Sequence, residues 1–256
     1  LLALIVALLL PGPASADARD SGIWGGGTAR TMSQGSMERG VFLPLRWGAT
    51  DRLEVSAFPI AEALIPNARL KVRWRDGDQA TLSTLHALAY PTPLMNFIAR
   101  EGTGGILPAT SEIPPMLTIK NGVLMTRALG KGHDLTTDFY VTTTPRFGGS
   151  DFTTIDFPVV YTRTASYHTA VTFRTGLDVR GPIAAGFGYR VGADLFVLPG
   201  LDGATAVEQT TRLGWAPGPN FRAMLGYQLI SGRYPFGPQV NVYPVFDVQF
   251  AWDVTP

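Results

Sequence analysis

The stretch Val240-Asn241-Val242-Tyr243-Pro244-Val245-Phe246-Asp247-Val248-Gln249-Phe250-Ala251-Trp252-Asp253 decides the fold class. Val240, Val242, Pro244, Phe246, Val248, Phe250 and Trp252 fall on one parity. Asn241, Tyr243, Asp247, Gln249 and Asp253 fall on the other. Successive side chains of a pleated strand point to opposite faces, so this is one long strand with an apolar face and a polar face. The polar face carries a charge at mid-strand. A soluble sandwich uses shorter strands of about five or six residues. A strand that crosses a bilayer at a tilt needs about ten.

The pattern recurs upstream. Phe221, Ala223, Leu225, Tyr227 and Leu229 alternate with Arg222, Gly226 and Gln228. Ile183 to Val197 presents a continuous odd-numbered apolar face against Gly186, Gly188, Arg190, Gly192 and Asp194. Val171, Phe173, Leu177 and Val179 oppose Thr172, Arg174 and Asp178, and Leu70, Val72 and Trp74 oppose Arg69, Lys71, Arg73 and Arg75. Helical periodicity is nearly absent. Strands are expected near 24–34, 38–48, 52–60, 68–76, 79–90, 116–128, 135–144, 167–179, 183–198, 204–215, 219–230 and 240–254. The segment 145–166 is expected to extend its neighbours or to add a hairpin. The reading is all-β: a single antiparallel up-and-down transmembrane β-barrel of about 12 strands. Aromatics near strand ends (Trp47, Trp74, Tyr90, Trp215, Tyr234 and Trp252) fit interfacial girdles.

Leu1 to Leu10 is an uninterrupted apolar run, broken by Pro11-Gly12-Pro13 and followed by Ala14-Ser15-Ala16. This is the order of a signal peptide, so residues 1–16 are expected to be an N-terminally incomplete export signal and 17–256 the barrel domain. The run is shorter than the roughly 20 residues a transmembrane helix needs. Short connections at Ala49-Thr50-Asp51, Asp76-Gly77-Asp78, 130–134, Arg180-Gly181-Pro182 and Pro217-Gly218-Pro219 alternate with longer ones, notably 91–115 and 145–166; on that second side only those near 35–37 and 199–203 are tight, and the last hairpin is expected to turn through 231–239. Outer-membrane barrels keep short turns on the periplasmic side, so both termini are expected to be periplasmic and the location the bacterial outer membrane.

The composition excludes several classes. There is no cysteine, which removes disulfide scaffolds and Cys-ligated metal sites. Lys and Arg number 21 against 20 Asp and Glu, and a net charge of +1 gives no case for nucleic-acid binding. No cofactor or metal is expected. The partners expected are outer-membrane lipids, the barrel-assembly machinery that reads C-terminal aromatics such as Phe250 and Trp252, and small solutes.

Leu43-Pro44-Leu45-Arg46-Trp47-Gly48-Ala49-Thr50-Asp51-Arg52-Leu53-Glu54-Val55 resembles a turn of bacterial outer-membrane barrels. It is similar to the transporter family of the MetA-pathway type, linked to aromatic-compound degradation. The resemblance implies a barrel with a transport role.

Charges at mid-membrane depth cost a few kcal/mol against lipid and are expected to face inward. The lumen-lining candidates are Arg46, Glu54, Lys71, Arg73, Lys120, Asp138, Arg174, Asp178, Arg190, Asp194, Glu208, Arg212, Arg222 and Asp247, with Arg69 on the same face. Arg222 and Asp247 are expected to meet across their hairpin. Lys71, Arg174, Arg190, Arg212 and Arg222 are expected to form a positive zone in the periplasmic half. The readings are a channel or transporter for small solutes, or a structural barrel closed by salt bridges. A third is a membrane-embedded lipid hydrolase using Ser166 and His168, but no nucleophile motif marks it, and an enzyme is not expected. His133 reads as a turn residue and His86 as a lumen or packing residue. Gly186-x-Gly188-x-x-x-Gly192 and Gly25-Gly26-Gly27 lack the spacing or the Gly-Lys-Ser/Thr of nucleotide loops.

Overall fold

A computed structural model describes residues 26–102, 106–149, 151–155, 157–184, 186–201 and 204–253. The expected signal segment 1–16 lies outside them. Twelve strands follow in order: β1 (Ser36–Gly40), β2 (Leu45–Thr50), β3 (Leu53–Ala57), β4 (Asn67–Asp76), β5 (Ala80–Ala89), β6 (Thr118–Gly130), β7 (His133–Thr143), β8 (Val171–Ala184), β9 (Phe187–Val197), β10 (Thr205–Gly218), β11 (Phe221–Tyr234) and β12 (Gly237–Asp253). Each pairs antiparallel with its chain neighbour, and β1 closes onto β12, giving a closed barrel. Three short helices sit in the connections: α1 (Thr92–Ile98), α2 (Pro158–Thr164) and α3 (Ser166–Thr169).

Alternation sets which face looks out. Leu225 and Val240 are each 66% exposed and Phe246 60%, and Leu70, Val123, Phe139, Leu177, Val191, Leu213 and Trp252 are exposed on the same outer surface. The opposite parity carries Glu38, Arg46, Glu54, Lys71, Asp178, Arg180, Glu208, Asp247 and Gln249, all buried. The molecule is thus apolar outside and polar inside. Soluble monomers rarely expose contiguous apolar patches of this extent.

The count of twelve agrees with the sequence reading, but two elements differ. The described part of the expected strand 24–34 is no strand. Gly26–Gln34 is turn and coil, and it runs inside the barrel, with Thr28 and Ala29 fully buried. The expected strand 38–48 is two, because the chain reverses at 41–44 between β1 and β2. Gly48 explains part of this. Its backbone carbonyl accepts from Gly35 N at 2.9 Å, and a Cβ there would collide with the Ser33 carbonyl, so β2 lets the inner segment pass close.

Other boundaries moved for local reasons. β8 runs through Arg180-Gly181-Pro182 to Ala184, and Gly186, just before β9, takes φ +81°. Beyond Arg180 the strand is paired only with β9, so Pro182 needs no donor on the β7 side. β8 begins at Val171, because 166–169 is helix α3 and Ala170 ends it with φ +63°. Among the described residues the segment 145–166 extends the β6–β7 pairing through the Met116–Arg146 bridge, then holds α2, and adds no hairpin. The β11–β12 connection is only Pro235-Phe236, not 231–239, and the β10–β11 turn is Pro219-Asn220. Tyr234, expected in a girdle, is buried at 3% exposure under α2.

The wall is uneven. β1, β2 and β3 have five or six residues, whereas β12 has 17. β1 covers only Gln249 to Asp253 of β12. Val41 N donates to the Val248 carbonyl at 3.0 Å, so even-numbered backbone groups of β12 point toward this low side. Pro238 and Pro244 are both even and bring no N–H to that edge, the placement proline tolerates in a sheet.

Gly48→Val should force the inner segment away from β2. Overpacking of this kind costs about 1–3 kcal/mol. Urea unfolding of the refolded protein in micelles should show that loss, together with faster protease cleavage within 26–34. Unchanged stability and cleavage would contradict the described path of the segment.

Candidate functional site

The barrel interior encloses a cavity of about 470 Å3. Its floor is Gly26, Gly27 and Thr28 of the inner segment, and Leu43, Pro44, Phe58 and the α2 residue Arg163 border it elsewhere. An adjoining space of about 230 Å3 reaches Asp178, Asp194 and Glu208.

The inner segment has no sheet partner, so its backbone groups are met by side chains of the wall. Lys71 Nζ donates to the carbonyls of Arg30 at 2.7 Å and Thr28 at 3.2 Å. Thr126 Oγ1 accepts from Ala29 N at 2.8 Å, and Ser83 donates to the Ala29 carbonyl. Glu54 accepts from Met32 N at 3.2 Å, and Arg180 donates to the Gly26 carbonyl at 2.9 Å. Arg30 closes the set on Asp134, with Nη2 at 2.7 Å. These contacts come from β3, β4, β5, β6, β7 and β8, so the segment is tied to six consecutive strands, half of the barrel.

Glu54 is the hub of the floor. Arg46 reaches its two oxygens at 2.9 and 2.6 Å and reaches Glu38 at 2.6 Å. Lys71 lies 3.1 Å from the same carboxylate. All four side chains are buried. Register brings them together: Glu38 faces Arg46, and Glu54 faces Lys71. A bidentate fork on a desolvated carboxylate is a strong, directional pair.

Of the sequence-derived candidates, Arg46, Glu54, Lys71, Lys120, Asp138, Arg174, Arg190, Arg212 and Arg222 line the main cavity. Asp178, Asp194 and Glu208 line the adjoining space. Asp247 is buried beside it, accepting from Phe42 N at 2.9 Å and Gln249 Nε2 at 3.1 Å. Arg73 lines neither space. It sits at the β4 bulge and pairs with Asp76 at 2.8 Å. Arg222 does not meet Asp247 directly. Gln249 stands opposite it in register, accepts from Arg222 Nε at 2.8 Å, and passes the link on to Asp247. The two-residue β11–β12 turn shifts the partner by one inward position.

The expected positive zone is also redistributed. Arg190 and Arg212 are direct cross-strand partners near the short-turn end. Arg174 is four residues into β8 and nearer the long-loop end, bound to Asp138 at 3.1 Å and Asp194 at 2.9 Å. Lys71 belongs to the Glu54 hub. Glu38, Tyr140, Arg163, Arg180 and Gln249 also line the cavity without having been singled out. The parity of β12 does place Gln249 inward. Nothing local marks Arg163, which arrives on a loop helix and pairs with Glu208 at 2.9 Å.

The histidines lie apart. His86 faces outward, not into the lumen, with Nδ1 2.7 Å from Asn121 and Nε2 3.1 Å from Thr84, because even positions of β5 point out. His133 contacts Tyr189 at 3.1 Å beside the Lys131-Gly132 turn. Ser166 and His168 sit on α3 rather than a strand. The Ser166 hydroxyl bonds Thr144 at 2.8 Å, and the His168 ring packs on Phe152 at 4.6 Å.

Removing Arg46 leaves Glu38 and Glu54 buried without their fork. Arg46→Met should cost about 3–5 kcal/mol, the usual loss on breaking a buried pair. Adding Glu54→Gln should recover part of it. Denaturant unfolding in lipid checks both, and additive losses would show that the two residues do not act as a unit.

Several solved barrels are similar in fold. Outer-membrane expressed OmpT of Vibrio cholerae matches 82% of this chain and 64% of its own, at 10% identity and a TM-score of 0.45. The anion-selective porin from Comamonas acidovorans matches 82% of this chain and 58% of its own, at 11% identity and a TM-score of 0.42. OccK5 (OpdH) of Pseudomonas aeruginosa matches 83% and 57%, at 13% identity and a TM-score of 0.42. In each case the match spans less than two thirds of the other chain. No protein-family model and no curated protein sequence matches the chain.

Proposed function

We propose that the protein is a bacterial outer-membrane barrel that passes small solutes, with a preference for anions. The observation that carries this reading is the inverted polarity of the wall. An apolar outer surface and strands that close into a barrel, with Pro238 and Pro244 on the part of β12 that β1 does not cover, suit the bilayer's demand that backbone groups be paired. A charged interior with unfilled volume offers a hydrated path. Ser36 and Asp253 lie side by side at the end that carries the short turns, which supports periplasmic termini. Phe250 and Trp252 on the outer face of the last strand suit recognition by the assembly machinery. The finer assignment, to the transporter family of the MetA-pathway type, rests on the Leu43–Val55 motif alone.

Charge supports the ionic preference. Among the described residues lining the main cavity are ten cations, Arg46, Arg69, Lys71, Lys120, Arg163, Arg174, Arg180, Arg190, Arg212 and Arg222, against three carboxylates, Glu38, Glu54 and Asp138. Rings of basic side chains bias a pore toward anions. The second reading, a structural barrel with a closed lumen, is favoured by the inner segment and the Glu54 hub, which together fill the floor.

Planar-bilayer recording separates the two. The native protein should show small or intermittent conductance, and a variant lacking 26–34 should conduct several-fold more. In a salt gradient the reversal potential should report anion preference, reduced by Arg190→Gln with Arg212→Gln. Cation preference, or no change on those substitutions, would overturn the anion reading. Silence from both the native and the shortened protein would favour the closed barrel.

A further inference from the structure

Arg212 has no ion pair among the described residues, and two further cavity cations, Arg69 and Lys120, have none either. These last two each rest on an aromatic ring instead, the Arg69 guanidinium 4.3 Å from the Phe58 centroid and Lys120 Nζ 4.3 Å from that of Tyr140. Arg174 lies over the same Tyr140 ring at 5.0 Å, but it is already held by Asp138 and Asp194. The strands place these groups side by side. Ala87 of β5 stands between Arg69 and Lys120 in register, and Tyr140 stands opposite Arg174. Lys120 is close enough to feel Arg69, Arg174 and the Asp138 carboxylate electrostatically, and that carboxylate is already bound by Arg174. Two half-buried cations side by side on a cavity wall, neither in an ion pair and with the nearby Asp138 taken up by Arg174, leave a place for an anion.

The surroundings restrict which anion. Beside the cations stand the Phe58 and Tyr140 rings and Leu85, packed with Tyr140, and Leu43 and Pro44 line the same cavity. A volume of about 470 Å3 lies in the range of small-molecule sites, which join a mostly apolar lining to a few placed polar groups. A fully hydrated inorganic ion would gain nothing from that wall.

We propose that Arg69 and Lys120 bind the carboxylate of a small organic acid, with its apolar body against Phe58, Leu85 and Tyr140. This deepens the channel reading and rests on it for its biological sense, although binding itself needs no passage. The acid bridges β4 and β6 through charge-assisted hydrogen bonds, and Phe58 and Tyr140 hold the two cations from behind.

Calorimetric titration of the refolded barrel in nonionic micelles tests the site, with hexanoate, hexanol and inorganic phosphate as probes. Hexanoate should bind with a saturable isotherm, and hexanol should not. Arg69→Met or Lys120→Met should weaken hexanoate about tenfold or more, that is about 1.4 kcal/mol. Lys120→Arg, which keeps the charge, should retain binding and shows that loss in Lys120→Met is not misfolding. No hexanoate binding to the folded native protein would overturn the proposal, and so would phosphate binding as tight as hexanoate. Titration and bilayer recording fail independently. Binding without conductance would sink the channel and leave the site, and conductance without binding would do the reverse.

Discussion

The backbone of Gly26–Gln34 lies inside a barrel whose own strands have already used one another's hydrogen bonds. That constraint governs the interior. A buried peptide group without a partner costs free energy comparable to a lost hydrogen bond. The wall must therefore present side chains at the height of each inner carbonyl and amide. Lys71, Ser83, Thr126, Glu54 and Arg180 do so, each from a different strand. The polar parity of the strands thus serves two ends: it keeps charges out of the apolar outer surface, and it supplies the partners that hold the segment.

Glu54 couples these ends. It accepts from Arg46, Lys71 and Met32 N, so it joins β2, β3, β4 and the segment at one carboxylate. Burying such a network is costly unless its lone pairs and protons are met, and here most are. The hub lies where the wall is lowest. β1 and β2 share only two paired positions, Met37–Trp47 and Glu38–Arg46, so few ladder bonds hold this corner. The ion pairs and the inner segment brace a part of the barrel that its own hydrogen bonding leaves thin.

At the other end the long connections turn inward. Tyr161 of α2 packs with Phe196, Leu198, Ala206, Ile230 and Tyr234, which line the upper inner faces of β9 to β11. A second apolar cluster joins Met95 and Ala99, at and just after α1, to Tyr167 of α3 and to Met116. The mouth is thus filled by apolar contacts and the floor by polar ones, with the cationic chamber between. The interior is closed at its two ends by contacts of different physical kind.

The sequence by itself determined the architecture. Strict alternation in Val240–Asp253, Phe221–Leu229 and Ile183–Val197 fixed the faces, because a period of two leaves a strand only one way to separate apolar from charged residues. The same rule placed Arg190, Arg212, Arg222 and Asp247 inward before any pairing was known. What it could not reach was set by contacts distant in the chain. A strand at 24–34 does not form, because the path of Gly26–Gln34 is dictated by Lys71, Thr126 and Arg180, none of which is near it in sequence. The reversal at 41–44 carries no Asn-Gly or Asp-Gly signal, and Arg180-Gly181-Pro182 reads as a turn until the missing β7 neighbour makes proline harmless there. Which inward charges pair is likewise a matter of register. One inward position separates an Arg222–Asp247 pairing from the Gln249 relay, and the two-residue Pro235-Phe236 turn determines that offset. Arg163 and Tyr161 reach the lumen on a loop that folds back. The tertiary structure alone decided that, because no periodicity records where a connection comes to rest.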